Sequence, residues 1–223
     1  MPFNRIKCDP VLGIAVHNHL VKCGVETPMK QNDLSRADKI AAIENSMADI
    51  MSTLGLDIND DSLMGTPKRI ARMYTNEIFW GLDYELFPKC TTVENKMKYD
   101  EMVIERDITV LSDCEHHFRP IIGKANIAYI PKEKVLGLSK MPRIVDFFAR
   151  RPQIQERLTE QIYQAMSFIL GTEDVAIMIS AEHMCVKQRG IQDQTSFTIT
   201  SRLGGKFKSV SDLRAEYMSL TKN

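Results

Sequence analysis

The sequence predicts an α+β domain at residues 95–223, preceded by a helical region at residues 1–94. Three features lead there. Apolar side chains recur at helical spacing through the first part of the chain. Runs rich in β-forming residues begin only after Asn95. The helices and strands are segregated rather than alternating, which disfavours a doubly wound parallel sheet.

The elements follow in order. Residues 11–23 read as a helix that stops at Gly24, and residues 28–34 as a connector. From Ser35 the stripe Ile40, Ile43, Met47, Ile50, Met51 and Leu54 predicts a second helix ending at Gly55. Residues 59–62 are turn-like. Thr66 before Pro67 reads as an N-cap with a first-turn proline, and Ile70, Met73, Tyr74 and Ile78 continue that helix on one face. Residues 102–111 and 124–130 predict an antiparallel strand pair, with residues 135–138 extending the sheet. Pro142 is expected to open a short helix over 144–150 and Pro152 to restart a longer one. Ile154, Leu158, Ile162, Met166 and Ile169 form its buried stripe, and Gly171 its stop. Residues 175–180 and 196–201 read as strands and 212–220 as a last helix.

Composition narrows the function classes. Lys+Arg and Asp+Glu both total 29, so no basic excess points to nucleic acid. No apolar run reaches the roughly 20 residues of a membrane span. Residues 1–7 are not followed by an apolar core and small-residue cleavage site, so no export signal is read. A cytoplasmic protein without membrane or nucleic-acid partners is the expectation. The five cysteines form an odd set in a chain of 223 residues, unlike a disulfide framework. Cys8, Cys23 and Cys90 have no His or Cys neighbour at ligand spacing and read as bland thiols.

The chemistry concentrates in two clusters. Cys114-Glu115-His116-His117 follows a strand-like run and offers thiol and imidazole ligands at C-x-x-H spacing. His183-Met184-Cys185 follows a second strand, where alternate side chains point the same way. Zinc accepts both ligand types, and a catalytic site keeps one position open beside three protein ligands. The spacing fits a catalytic or a structural zinc, and does not choose between His116 and His117 as ligand. Histidines that are not ligands suit proton transfer, since free His titrates near about 6.5. H-E-x-x-H, the deaminase pattern H-x-E…P-C-x-x-C and G-x-x-x-x-G-K-S/T are all missing from the sequence, which disfavours a zincin protease, a nucleobase deaminase and a P-loop.

Cationic candidates follow the same order. Lys140 and Arg143 lie where a strand feeds a helix, a place suited to anions. Lys187 and Arg189 follow the second cluster, and Arg69 follows Thr66-Pro67. Glu156, near a helix start, reads either as a partner of the helix dipole or as a carboxylate for guanine. Guanine's N1–H and 2-amino group offer it two donors that adenine lacks.

Together these residues resemble the GTP cyclohydrolase I family. The resemblance rests on Thr66-Pro67-Lys68-Arg69-Ile70-Ala71, Cys114-Glu115-His116-His117, Gly137-Leu138-Ser139-Lys140, Gln155-Glu156-Arg157-Leu158-Thr159 and His183-Met184-Cys185-Val186-Lys187-Gln188-Arg189-Gly190, in that order. It covers roughly residues 60–207. It implies a zinc-dependent hydrolysis of GTP to formate and 7,8-dihydroneopterin triphosphate, the entry to pterin and tetrahydrofolate synthesis. It also implies a tunnelling fold, with an antiparallel sheet and helices on one side, assembled as a homodecamer with sites between subunits. On the matching positions it implies Cys114, His117 and Cys185 as zinc ligands and His116 and His183 as acid–base residues. Glu156 with Gln155 would hold guanine. Lys140, Arg143 and Arg189, with Arg69 of a neighbouring subunit, would hold the triphosphate, and Ser139 would lie near the ribose. The first 35 residues carry no part of this signature.

Overall fold

The computed structural model describes residues 7–30 and 32–222. Residues 1–6, part of the stretch read for an export signal, and Gln31 of the expected connector lie outside the described residues, as does Asn223. Two compact units are present: Pro28–Trp80, and the chain before and after it.

The second unit begins with α1 (Pro10–Lys22). Asp9 caps it by accepting from the Leu12 amide at 3.0 Å, and Pro10 occupies the first turn, where a missing N–H leaves no bond unmade. Gly13, Val16 and Leu20 are its buried face. Gly13 is required by close approach, since a β-carbon there would meet the Tyr84 carbonyl oxygen and Phe87 Cβ.

The Pro28–Trp80 unit is helical. Ser35 starts α2 (Arg36–Thr53), accepting from the Asp38 amide and donating to the Asp38 carboxylate. Only Met51 of the expected stripe is buried, while Ile50 and Leu54 are exposed. Within this unit α2 packs against α3 (Thr66–Met73), and one short helix covers only part of a five-turn stripe. The cap of α3 is Gly65 rather than the expected Thr66. Thr66 is the first helical residue, and its hydroxyl accepts from Arg69 at 2.8 Å. Beyond Met73 the helix widens into a π turn at Tyr74–Ile78.

From Gly81 the chain returns to the α+β unit. Strand β1 (Thr92–Glu94) is followed by β2 (Val103–Cys114), β3 (Pro120–Tyr129) and β4 (Lys134–Leu136). The predicted hairpin pair is present: β2 and β3 run antiparallel, with a bulge between Glu105 and Ile108. β4 does not extend that sheet but pairs with β1 in a separate two-stranded ribbon. Helix α4 (Lys140–Ala149) starts earlier than expected and carries Pro142 in its first turn, where its absent N–H is tolerated. Pro152 does not open a helix. It lies in the short strand β5 (Pro152–Gln153), parallel to the end of β2, and α5 (Gln155–Leu170) begins two residues later. Gly171 stops α5 in the left-handed conformation, φ 67°.

Strand β6 (Val175–His183), the one-turn helix α6 (Met184–Lys187), strand β7 (Thr198–Leu203) and helices α7 (Gly205–Ser209) and α8 (Ser211–Leu220) complete the described chain. The main sheet among the described residues has the order β5-β2-β3-β6-β7, antiparallel except at β5. Alternation along β3 and β6 puts Ile121, Ala125, Ile127, Ile177 and Ile179 on one face, buried against α4 and α5. On the other face, Phe207 and Tyr217 from α7 and α8 close over Ala128, Ile130 and Ala176 at one end. The Tyr217 hydroxyl donates there to the Asn126 carbonyl at 2.9 Å. At the opposite end that face is uncovered, leaving Leu111, Ile122 and Ile199 exposed. The α+β class, with an antiparallel sheet, its principal helices on one face and a helical region before it, is as expected.

Candidate metal centre

The site forms where two strand ends meet. β2 delivers buried Cys114 as its last residue, and the chain turns at once through Glu115–His117. That turn is closed by the Phe118 amide donating to the Cys114 carbonyl at 2.8 Å, with Phe118 at φ 48°. Two neighbours hold it. The Glu115 amide donates to the Gln153 carbonyl at 3.0 Å, and the Glu115 carboxylate pairs with Arg157 at 2.5 Å. Beside it β6 ends at His183, in register with Ile121. The expected alternation does not continue to Cys185, because the backbone coils into α6 at Met184. The first turn of that helix carries Cys185 toward Cys114.

Ligand atoms of Cys114, His117 and Cys185 lie within 4.8 Å of one another. Two thiols and an imidazole suit a zinc-class ion, whose bonds of about 2.3 Å to sulfur and about 2.0–2.1 Å to nitrogen draw such atoms slightly closer. Three protein donors leave a fourth position open. The Cys185 thiol is pushed up by burial and by the adjoining Cys114 thiol, the crowding that a divalent cation relieves. His116 stands beside the trio with its ring mostly exposed and Nδ1 3.6 Å from Cys114 Sγ. His117 Nε2 accepts from Arg189 Nη1 at 2.9 Å.

His183 is held from behind. Its Nε2 lies 2.8 Å from Gln155 Oε1. The Gln155 amide orientation follows from its other end, where Nε2 donates to the Ile179 carbonyl, the Thr198 carbonyl and Thr200 Oγ1 at 3.0–3.1 Å. Oε1 therefore faces His183 and accepts, so the neutral imidazole carries its proton on Nε2 and leaves Nδ1 as the basic nitrogen. Burial lowers the His183 pKa, and the nearby Glu156 carboxylate opposes that shift. Glu156 is exposed at the start of α5.

The structure thus joins Cys114, His116, His117, His183, Cys185, Gln155 and Arg189 through direct contacts or chain adjacency. Lys140 and Arg143 share the first turn of α4, exposed Ser139 precedes it without a capping side-chain bond, and both cations act electrostatically on the Cys90 thiol. Arg69 belongs to the Pro28–Trp80 unit, where its guanidinium donates to Thr66 Oγ1 and the Ser62 carbonyl. The sequence reading gave no role to Arg157, which ties Glu115 to α5, or to Thr200, which helps orient Gln155. Their partners lie 42 and 45 residues away, beyond any local pattern.

Comparison with known proteins identifies the family. The profile of the family "GTP cyclohydrolase I" matches residues 43–222. A protein named GTP cyclohydrolase 1 from Aeromonas salmonicida is 60% identical over 195 residues, covering 87% of this chain and 89% of its own. One of the same name from Yersinia enterocolitica is 56% identical over 203 residues, covering 91% and 92%. With a family profile across most of its length and relatives this similar, the chain belongs to the GTP cyclohydrolase I family of enzymes.

Proposed function

We propose that this chain hydrolyses GTP to formate and 7,8-dihydroneopterin triphosphate in a zinc-dependent reaction that feeds tetrahydrofolate synthesis in the cytoplasm. The observation that carries this reading is the convergence of Cys114, His117 and Cys185 beside a braced His183, in a chain of this family. Cys114, His117 and Cys185 would hold the ion. When bound, zinc supplies a Lewis acid that brings the pKa of water toward about 7.

The chain's own residues account for the rest. His183, fixed through Nε2, takes and returns a proton at a purine nitrogen through Nδ1 as the imidazole ring opens. His116, more exposed, serves as a second acid–base group for the later proton transfers. The Glu156 carboxylate accepts from guanine N1–H and the 2-amino group, a pair adenine does not offer. Gln155, expected at the base, has both ends of its amide engaged within the chain and acts here by orienting His183. Lys140, Arg143 and Arg189 would bind the triphosphate, with Arg69 from a neighbouring subunit, and Ser139 would lie near the ribose. Self-association, expected as a homodecamer, fits the uncovered sheet face, where apolar Leu111, Ile122 and Ile199 support an interface between copies but not its stoichiometry.

Zinc-loaded protein incubated with GTP is expected to yield formate and a pterin that fluoresces after oxidation; absence of both would overturn the reading. His183→Ala should retain zinc and fold while losing about 10²- to 10⁴-fold in turnover. Loss of the metal instead would make His183 a ligand.

A further inference from the structure

We propose a second metal site on the α+β unit, where the last turn of α1 meets α5, formed by His19, Cys23 and Gln164. It would take a borderline or soft divalent cation of the zinc and cadmium class. Cys23 alone reads as a bland exposed thiol, but its surroundings are specific. His19 Nε2 lies 3.6 Å from Cys23 Sγ, Gln164 Oε1 lies 3.2 Å from His19 Nε2, and Cys23 Sγ lies 3.5 Å from Gln164 Oε1. Bonds of about 2.3 Å to sulfur and about 2.0–2.2 Å to nitrogen and oxygen at a tetrahedral ion set ligand atoms about 3.4–3.6 Å apart. The observed triangle is therefore close to that of three ligands already around one centre.

Each donor is aimed. His19 and Cys23 are four residues apart and share one helix face. The Gln164 amide is fixed by its nitrogen, which donates to Glu160 Oε1 at 2.8 Å, so the oxygen turns toward His19 and Cys23. Glu160 is itself held by Arg202 at 3.0 Å. The His19 ring stacks on Phe168 with centroids 4.9 Å apart. This is the outer arrangement that orients metal ligands elsewhere. A cavity of about 500 Å³ lined by His19, Gln164 and Phe168 leaves room for water on the ion's remaining position. On binding, the Cys23 thiol gives its proton to solvent as the metal–sulfur bond forms, and His19 coordinates through Nε2 with its proton on Nδ1. Thiolate and imidazole donors select against Mg²⁺ and Ca²⁺.

The test is a cadmium titration of the full-length Cys114→Ser/Cys185→Ser chain, in which both thiols of the first site are removed. Thiolate-to-cadmium charge-transfer absorption is expected to saturate at one ion per chain. It should vanish when Cys23→Ser is added, and His19→Asn should weaken binding by at least the roughly 100-fold that losing an outer-shell partner can cost. Excess Mg²⁺ should not compete. Equal cadmium uptake with and without Cys23, no saturable step in the Cys114→Ser/Cys185→Ser chain, or displacement by Mg²⁺ would each overturn the site. Cys23 and His19 are not fully buried, and a circular dichroism spectrum unchanged from the parent chain confirms that the variants fold.

Discussion

At the scale of single residues, two buried side chains carry consequences that local sequence does not announce. Gln155 is 1% exposed and satisfies two backbone carbonyls and a hydroxyl while accepting from His183. Replacing it by Ala removes the brace but no proposed zinc ligand. Turnover should fall about 10- to 100-fold, part of what a positioned acid–base group supplies. Zinc content should hold and KM should change little; loss of zinc, or a purely KM effect, would argue for another role. Arg151 is fully buried and pairs with Glu26 at 3.1 Å, with its guanidinium 4.9–5.2 Å from the rings of Tyr84, Phe147 and Phe148. Arg151→Ala leaves the Glu26 charge without its buried cation, although the carboxylate still accepts from the Thr27 amide and the Tyr84 hydroxyl, and should cost about 3–5 kcal/mol in urea unfolding. Adding Glu26→Gln removes the stranded charge, so the double variant should be more stable than the single one; a double variant less stable than the single would refute the pairing argument.

Elements show where sequence pattern succeeds and where it stops. Helices α2 and α5 are legible from apolar stripes that end at glycines, α1 from its Gly24 stop, and the β2–β3 pair from its β-forming residues. Four features are not. The pairing of β4 with β1 and of β5 with β2 depends on partners far along the chain. The coil at Met184 overrides the strand alternation expected through Cys185. The π turn after Met73 has no periodic signature. The candidate metal clusters stand out because thiols and imidazoles are chemically rare, with the family resemblance choosing His117 over His116, whereas the brace on His183 uses backbone carbonyls that every residue possesses. Gly123 illustrates an element-scale constraint. A β-carbon there would lie 2.2 Å from the Ser180 carbonyl oxygen and 2.5 Å from Ala181 Cβ, so β3 and β6 approach closely only because that position is bare. Gly123→Ala should force the strands apart and destabilise by about 1–3 kcal/mol. Because β6 ends at His183, some loss of turnover should accompany it; an unfolding midpoint unchanged from the parent would show that the sheet absorbs the methyl group without strain.

For the whole molecule, the buried ionisable groups predict a vulnerability to alkali. Burial pushes the Cys90 thiol from 9.0 up to about 12, and pushes Tyr84, Tyr129, Tyr163 and Tyr217 above the ordinary phenolic value of 10.0. Each is held neutral in the fold but ionises readily once unfolded. Over that interval the unfolded chain binds fewer protons than the native one, so stability falls as pH rises. Below pH 9 these groups are neutral in both states and impose no penalty. Between about pH 9 and 12, Cys90 alone should lower stability by at most about 1.4 kcal/mol per pH unit. The four tyrosines add to this above about pH 10. Two measurements separate this account from generic alkaline damage. Tyrosinate absorbance from the buried rings should appear together with loss of the circular dichroism signal, since they ionise by unfolding. The stability of Cys90→Ser should fall less steeply than that of the parent over the same interval. Tyrosinate forming gradually in a chain that keeps its native spectrum, or parallel slopes for parent and Cys90→Ser, would show that burial in this core does not hold these groups neutral.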